Sequence, residues 1–412
     1  MNDKVNSPIW TIKYALLNIA YFAAFCTVHA YAAVFLLAHG FSNTQVGILL
    51  AVANILSALC QPIVAGIIDK EGWLTNKRFI LISVLSILAG SLVLMMVKGS
   101  GPVIFVVYAF IYMIQFTYQP VLTALCFEYR KKGCGIVFGL ARGLGSAGFA
   151  VTSAIIGGMV EKRGVFVLLV ANVIFMILSA LVILVWDMKQ GDGSSFHFSR
   201  VDQKQTVLKD ETRNRPPVSS PHNNIMDFAR EYPAFILILV GTICFFFAHN
   251  MINDFMIQII RSLGGGEKEL GYCNFLQAIL ELPVMALIGF VLKKIKAGSL
   301  LLLSGTGFLV KIAILIFAVN MSAMYLSQSF QLIAYAVFVP AAAYYVNETM
   351  EDLDQVKGQA YITSAITIGG VFSNLVSGRI LDKMGVKPML IVGTAVCALG
   401  VIIAFAGIKK KK

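Results

Sequence analysis

Long apolar runs, each about the length of a bilayer crossing, alternate along this chain with short polar segments. Residues 12–38 and 44–67 are the first two, and a membrane-spanning helix needs roughly 20 such residues. Ten more runs follow: 79–97, 103–127, 134–160, 165–186, 232–260, 269–292, 299–318, 323–347, 357–378 and 386–408. The pattern predicts an all-α membrane protein with twelve transmembrane helices, which we call spans 1 to 12.

One long polar stretch interrupts this series. It covers residues 187–231 and includes GDGSS and RNRPPVSSPHNN, a composition typical of flexible linkers. We therefore predict an N-terminal six-helix bundle over 1–186, a cytoplasmic linker over 187–231 and a C-terminal six-helix bundle over 232–412.

Composition agrees with a membrane protein. The 412 residues are 58% hydrophobic and 13% charged, whereas soluble domains carry roughly 25% charged residues. The first span is too long for the apolar core of a cleavable signal peptide, so none is expected. The seven cysteines lie in or beside apolar runs without metal-ligand spacing, so no metal or cofactor is expected.

The net charge of +12 could suggest a nucleic-acid partner, but its distribution argues against one. Basic clusters fall in alternate loops and at the C-terminus: Lys70 with Lys77 and Arg78, residues 130–132, residues 293–296 and residues 409–412. This is the positive-inside pattern. It predicts a multi-pass protein, in a prokaryotic plasma membrane, with both termini in the cytoplasm.

An internal repeat divides each half again. A glycine, charged residues and a tight turn recur near the ends of spans 2, 5, 8 and 11: GIIDKEG at 66–72, GGMVEKRG at 157–164, GFVLKKIKAG at 289–298 and GRILDKMG at 378–385. Three-helix units nested in two six-helix halves are typical of the major facilitator architecture.

These motifs give the chain a family resemblance. Gln61–Pro62 before the Gly66 loop, FGLARGLGSAG in span 5, LLLSGTGFLVKI in span 9 and YYVNETMEDLDQVKGQAY before span 11 resemble the lactose permease-like branch of the major facilitator superfamily. The resemblance implies that fold and solute transport. It also implies that Gly66, Asp69, Lys70, Lys77 and Arg78 form a gating loop that breaks and re-forms as the halves rock; a pure topology signal is the alternative.

Charged residues inside the spans are the main functional candidates, because a charge at mid-bilayer costs several kcal/mol without a partner or a function. The resemblance places Arg142 of span 5 where sugar-transporting relatives bind substrate. Glu281 of span 8 is a candidate proton carrier, and Lys311 of span 9 stands where relatives have an arginine. We expect Glu281 and Lys311 to face each other, as a coupling switch or as a permanent salt bridge.

Two spans depart from the relatives. Counting from Pro120 in span 4 puts Thr123 where sugar transporters have a carboxylate, so galactoside recognition is doubtful. Glu128 is then either a boundary charge or a structural partner of Arg142. Span 10 has Gln331 near the relatives' proton site, with no acid before Glu348, so the proton carrier must lie elsewhere.

The stretch FFFAHNMINDF at 245–255 places polar groups in what we predict to be one continuous helix. His249, Asn250, Asn253 and Asp254 fall on a narrow arc, which should face the pore or another helix. His249 could titrate near neutral pH and Asp254 could bind a proton or a cation. Plain interhelical hydrogen bonding is the alternative.

Further polar residues complete the expected substrate site. His29 and Tyr31 of span 1, Tyr118 of span 4 and Gln277 of span 8 join Arg142 and Lys311 as candidate substrate contacts. A lone histidine such as His29 is more often structural.

Taken together, the sequence predicts a secondary active transporter and not an enzyme. Proton-coupled import of a sugar, glycoside, nucleoside or aromatic acid by a monomer is the leading hypothesis, with a proton preferred to sodium as the coupling ion. The alternatives are a proton-antiport exporter, a membrane-embedded enzyme using His249 and Asp254, and a sensor without transport. Motifs of ATP-driven pumps and hydrolases are absent from the sequence.

Overall fold

The computed structural model describes residues 7–70, 72–97, 99, 101–186 and 225–410. Most of the predicted linker, residues 187–224, lies outside them. The helices of the first half are Ser7–Phe25, Ala32–Ala38, Asn43–Ile68, Asn76–Met96, Pro102–Lys131, Phe138–Arg163 and Phe166–Leu184. Those of the second half are Ile225–Glu231, Pro233–Asp254, Met256–Ser262, Glu267–Leu292, Ala297–Ile316, Met321–Ser329, Tyr335–Thr349, Asp352–Met384 and Val386–Lys410.

These helices form the twelve predicted spans. Spans 1, 7 and 10 are each built from two helices in succession. In the described part of the chain, eleven segments are long and apolar enough to cross a membrane, and span 8, Glu267–Leu292, has the required length with 26 residues. The all-α prediction is confirmed.

Local signals explain where several spans begin and end. Ser42 and Gln45 form a capping box at the start of span 2, and Thr75 accepts a hydrogen bond from the Arg78 amide at the start of span 3. Spans 5 and 11 end at Gly164 and Gly385, whose φ angles of +79° and +84° suit glycine at the end of a helix.

The two halves repeat one packing scheme. Span 1 packs against spans 5 and 6, span 3 against spans 4 and 6, and span 2 against span 4. In the second half, span 7 packs against spans 11 and 12, span 9 against spans 10 and 12, and span 8 against span 10. The halves meet mainly where span 2 crosses span 11 and span 5 crosses span 8.

Both crossings are closest at one face of the molecule. We call the face where span 1 begins the basal face and the opposite one the distal face. Near the distal face, a Cβ atom on any of four glycines would overlap a backbone oxygen of the other half: Gly47 against Asn374, Gly378 against Asn43, Gly157 against Glu267 and Gly271 against Ser153. Only glycine permits such an approach of two backbones.

The basal ends of the same spans are apart. A Cβ atom on Gly66, Gly139, Gly143 or Gly289 would meet no atom within 4 Å. The halves are therefore closed against each other at the distal face and separated at the basal face.

Spans 1 and 7 are broken at equivalent places. The helix predicted over residues 245–255 is continuous as far as Asp254, so His249, Asn250, Asn253 and Asp254 lie on one helix, and the break follows at Phe255. A π-helical turn over Cys26–Ala30 leads into the break at Tyr31, and span 7 breaks at Phe255. The Tyr31 hydroxyl donates to the Ser153 carbonyl at 3.0 Å, and the tip of the Phe255 ring lies 3.5 Å from the Cβ position of Gly47. Each break is thus covered by protein, which irregular backbone in a membrane requires.

The end of the predicted linker is helical. Ile225–Glu231 forms a short helix because Phe228, 1% exposed, packs its ring on Tyr232 and Tyr361 with centroids 4.9 Å away. The second bundle therefore includes these seven residues.

Candidate functional site

A bridged pair of charges lies inside the second half. Lys311 of span 9 donates to Gln331 Oε1 at 2.7 Å, and Gln331 Nε2 donates to Glu281 Oε1 at 2.8 Å. Span 8 and span 9 thus present an acid and a base to the two ends of one amide. The predicted meeting of Glu281 and Lys311 occurs through Gln331 rather than by direct contact.

The break in span 10 positions Gln331. Met321–Ser329 ends in a 3-10 turn, Phe330–Leu332, and the helix resumes at Tyr335. The turn holds the Gln331 side chain, 2% exposed, beside Lys311, which is 0% exposed. Ser327 donates to the Lys311 carbonyl at 2.7 Å. A buried ammonium is stable only with such partners.

A second set of hydrogen bonds joins spans 7, 8 and 10. Gln277 donates to Gln328 Oε1 at 2.5 Å and to Asn253 Oδ1 at 3.4 Å. Asn253 Nδ2 lies 2.9 Å from His249 Nε2. The His249 ring stacks on Tyr335, with centroids 5.3 Å apart and planes 14° from parallel. Gln277 and His249, both predicted site residues, therefore share one network.

The polar arc predicted for span 7 is divided. His249 and Asn253 face this network, whereas Asn250 donates to its own helix at Phe246 O, 2.9 Å away. Asp254 faces the Asn374 amide of span 11 and lies within electrostatic range of Tyr112 in span 4. Asp254 therefore sits where the halves meet, whereas Glu281 takes part in the bridge to Gln331 and Lys311.

Arg142 is the charged group that the first half presents. Its Nη1 donates to Ser146 Oγ at 2.9 Å, and its guanidinium carbon lies 4.0 Å from the centre of the Phe22 ring. It is within electrostatic range of Glu281 and Tyr335 in the second half. Arg142 of the first half and Glu281 of the second half are thus close enough to interact electrostatically.

Glu128 is a boundary charge and not a partner of Arg142. Its carboxylate accepts from Lys132 Nζ at 2.6 Å and from Asn76 Nδ2 at 2.9 Å. This pair is partly exposed at the basal end of span 4.

His29 lies in an aromatic cluster. Its ring stacks on Phe25 with centroids 3.7 Å apart, lies 3.8 Å from Tyr112 and meets Phe116 edge-on. In the described part of the chain, neither ring nitrogen has a partner with hydrogen-bond geometry. The π-helical turn Cys26–Ala30 that carries His29 is of a kind frequent at functional sites.

Two other predicted contacts lie away from the charges. Tyr31 sits at the crossing of spans 5 and 8, where its hydroxyl lies close to the Cβ positions of Gly157 and Gly271. Tyr118 is fully buried with its ring edge-on to Tyr21 at 4.8 Å. The structure therefore does not bring Tyr31 or Tyr118 to the Arg142–Glu281 region.

The predicted gating loop lies at the basal end of span 2. Asp69 is the C-cap of that span and follows Gly66 and precedes Lys70 and Lys77. Arg78 donates to the Trp73 carbonyl at 2.6 Å.

A cavity that is open to the surface lies elsewhere. It has a volume of 490 Å³ at the distal ends of spans 1, 3 and 6, and its lining is mostly apolar, including Phe35, Leu94, Met95 and Phe166. Phe166 is 54% exposed on the outer surface of the bundle. Because this cavity lacks the charged groups described above, we do not place the transport site there.

The model of the MFS_1 like family matches residues 10–393. The chain belongs to this family. The expected membership in the major facilitator superfamily and the two pseudo-symmetric six-helix bundles are thereby confirmed. This MFS_1-like protein is a transporter and not an enzyme.

Solved structures show the same fold. A nucleoside transporter, NupG (D323A mutant), matches with a TM-score of 0.75 and 13% identity over 98% of this chain and 100% of that chain. The peptide transporter POT in complex with sulfate matches with a TM-score of 0.72 and 10% identity over 98% of this chain and 94% of that chain. A bacterial homolog of the human lysosomal transporter Spinster matches with a TM-score of 0.67 and 12% identity over 98% of both chains. No curated protein matches the sequence significantly.

Three residues of the MFS_1-like site were not predicted from sequence. Gln331 was identified only as a replacement for the relatives' proton site, and Gln328 and Tyr335 were not identified. The signal was the polar run SQSFQ at 327–331 in an otherwise apolar span. Its importance appears only once spans 8 and 9 are placed beside it.

Proposed function

We propose that this MFS_1-like transporter is a proton symporter that imports a small polar organic solute by alternating access. The observation that carries the proposal is the Glu281–Gln331–Lys311 bridge, whose acid is within electrostatic range of Arg142 in the other half. The bridge supplies a carboxyl that can gain or lose a proton, and Arg142 supplies a fixed positive charge for solute.

Coupling follows from the single amide between the two charges. While Glu281 is ionised, it accepts from Gln331 Nε2, and Gln331 Oε1 accepts from Lys311. Protonation of Glu281 removes the negative charge that balances Lys311, so a solute oxygen becomes a better partner for the cation. Proton and solute would then bind together and leave together.

The surrounding side chains favour a solute with both a ring and oxygen acceptors. A guanidinium fork binds hydroxyls and carboxylates, and the partly exposed ring of Tyr335 offers a surface for stacking. Sugars, glycosides, nucleosides and aromatic acids meet this description. The names of the similar solved structures, which include a peptide transporter, add short peptides to the solutes worth testing.

We also propose that the basal face is cytoplasmic and that the protein lies in a prokaryotic plasma membrane. The basic clusters at Lys70, Lys77 and Arg78, at residues 130–132 and at residues 293–296 are all at basal ends of spans, as the positive-inside rule requires. The conformation described above is then inward-facing.

The test uses purified protein in lightly buffered vesicles with a pH-sensitive dye. Sugars, glycosides, nucleosides, aromatic acids and short peptides are added in turn to the wild type. We expect one class to cause proton entry into the vesicles. Glu281→Gln should abolish this proton movement while retaining solute exchange across the membrane, because the solute-binding face remains.

Glu348→Gln is the matched control, since Glu348 is an exposed acid at the basal end of span 10. It should behave as the wild type. Solute uptake that needs sodium, or that continues without proton movement, would contradict the proposed role of Glu281. Asp254 would then be the better candidate for the coupling ion.

A further inference from the structure

An acid from the second half caps a helix of the first half at the distal face. Asp382, near the end of span 11, accepts from the backbone amides of Asn43 at 3.0 Å and Thr44 at 2.7 Å. It also accepts from Asn43 Nδ2 at 2.9 Å. Ser42 accepts from the next amide, that of Gln45. Amides in the first turn of a helix have no partner in their own helix, so Asp382 supplies what span 2 lacks.

The internal repeat places a second acid in the equivalent position. Glu161, near the end of span 5, accepts from the Lys268 amide in the first turn of span 8 at 3.3 Å. The N-cap of span 8 is Gly266, which has no side chain to cap the helix. Each acid follows by four residues a glycine at the crossing, Gly378 or Gly157.

We propose that Asp382 and Glu161 are positioning residues for the transport cycle and hold the distal face closed by capping span 2 and span 8 of the opposite half. Acceptor and donors lie on different halves, so every one of these bonds breaks when the distal face opens. A carboxylate at a helix N-terminus is stabilised by the helix dipole and by charge-assisted hydrogen bonds. Both contributions therefore belong to the distal-closed state alone.

The two caps are unequal. Asp382 accepts three hydrogen bonds, and the first turn of span 2 contains no acid. Glu161 accepts one long bond, and the first turn of span 8 carries Glu267 and Glu269, whose charges oppose a third carboxylate. The crossing of spans 2 and 11 therefore stabilises the closure more than the crossing of spans 5 and 8.

This inference does not depend on the solute or on proton coupling, so it is tested without transport. Hydrogen–deuterium exchange with mass spectrometry on the full chain in lipid nanodiscs follows the peptides that contain Asn43 and Thr44 or Lys268. Asp382→Asn removes the charge and turns an amide donor towards one of the two backbone donors. Exchange at the start of span 2 should rise at least about tenfold, the factor that corresponds to 1.4 kcal/mol.

Glu161→Gln should raise exchange at the start of span 8 by a smaller factor, about two- to threefold, since one long bond is lost. The matched control is Asp352→Asn, which removes an exposed acid at the basal end of span 11 and should leave both distal peptides unchanged. Exchange in the buried part of span 3 reports whether each variant is folded.

Asn43→Pro breaks the same cap from the other half. Proline suits the first position of a helix, and Ser42 already has the extended backbone, ψ 161°, that a residue before proline needs. The change removes two of the three donors, so exchange at Thr44 should rise. Unchanged exchange in folded Asp382→Asn and Asn43→Pro overturns the proposal, and a larger effect in Glu161→Gln overturns the order of the two caps.

Discussion

The two halves of this transporter share one helix arrangement but present different chemistry to each other. The first half offers Arg142, held by Ser146 and the face of Phe22. The second half offers an acid and a base joined by Gln331. The repeat thus determines the scaffold and leaves its polar residues free to diverge. We infer a division of tasks, with solute contact led by the first half and ion coupling by the second.

The largest expected effect is in the second half. Lys311→Met removes the buried cation and leaves Glu281 without its counter-charge, which should destabilise the protein by about 3–5 kcal/mol. Adding Glu281→Gln to this variant should restore part of that stability, because the uncompensated charge is removed. Thermal unfolding of the detergent-solubilised single and double variants measures both. If the stability change of the double variant equalled the sum of the changes of the two single variants, Glu281 and Lys311 would be independent.

The next prediction concerns the first half. Arg142→Lys keeps the charge but loses the planar fork and its stacking on Phe22, so solute affinity should fall about 10- to 100-fold. The number of protons carried per solute should not change. Calorimetric titration and paired flux measurements test this, with the exposed Arg130→Lys as the control. A changed proton ratio would argue against the division of tasks.

A smaller effect is expected at His249. Phenylalanine keeps a ring against Tyr335 and loses only the contact with Asn253. The kcat/KM of transport should therefore fall by a factor that corresponds to about 0.5–1.5 kcal/mol. The accumulation ratio of solute should remain that of the wild type. If accumulation were abolished in His249→Phe, the histidine and not Glu281 would be the proton carrier.

The smallest effect tests a residue outside the site. Glu128→Gln removes a partly exposed pair with Lys132, and such pairs contribute about 0–1 kcal/mol. Solute affinity and proton coupling should both stay within about twofold of the wild type. A clear loss of solute affinity or of proton coupling in this variant would indicate that Glu128 has a functional role.

The spans and their repeat were predictable because bilayer thickness determines helix length and because glycine is required where backbones cross. The burial cost of charge also identified Glu281, Lys311 and Arg142 as residues needing partners. The partners themselves were not predictable. Gln331 acquires its role only through the break in span 10, and the division of the span 7 arc depends on how that helix is rotated against span 11.

Glu161 and Asp382 show the same limit. Both lie in the glycine motifs that revealed the repeat, yet the sequence does not show that spans 5 and 11 end beside the first turns of spans 8 and 2. That proximity arises from the closure of the halves, and local sequence patterns do not encode it.

The buried Lys311 has a consequence for biosynthesis. A lysine within a lone transmembrane helix makes insertion into the bilayer less favourable, by up to about 2.5–3.5 kcal/mol at the centre of the helix. In the finished protein, its ammonium depends on Gln331, which follows it in the chain, and on Glu281, which precedes it. Span 9 therefore becomes stable in the membrane only after span 10 has emerged from the ribosome. Spans 8, 9 and 10 should therefore leave the insertion machinery as a group, and a chain truncated before Gln331 should be retained or degraded.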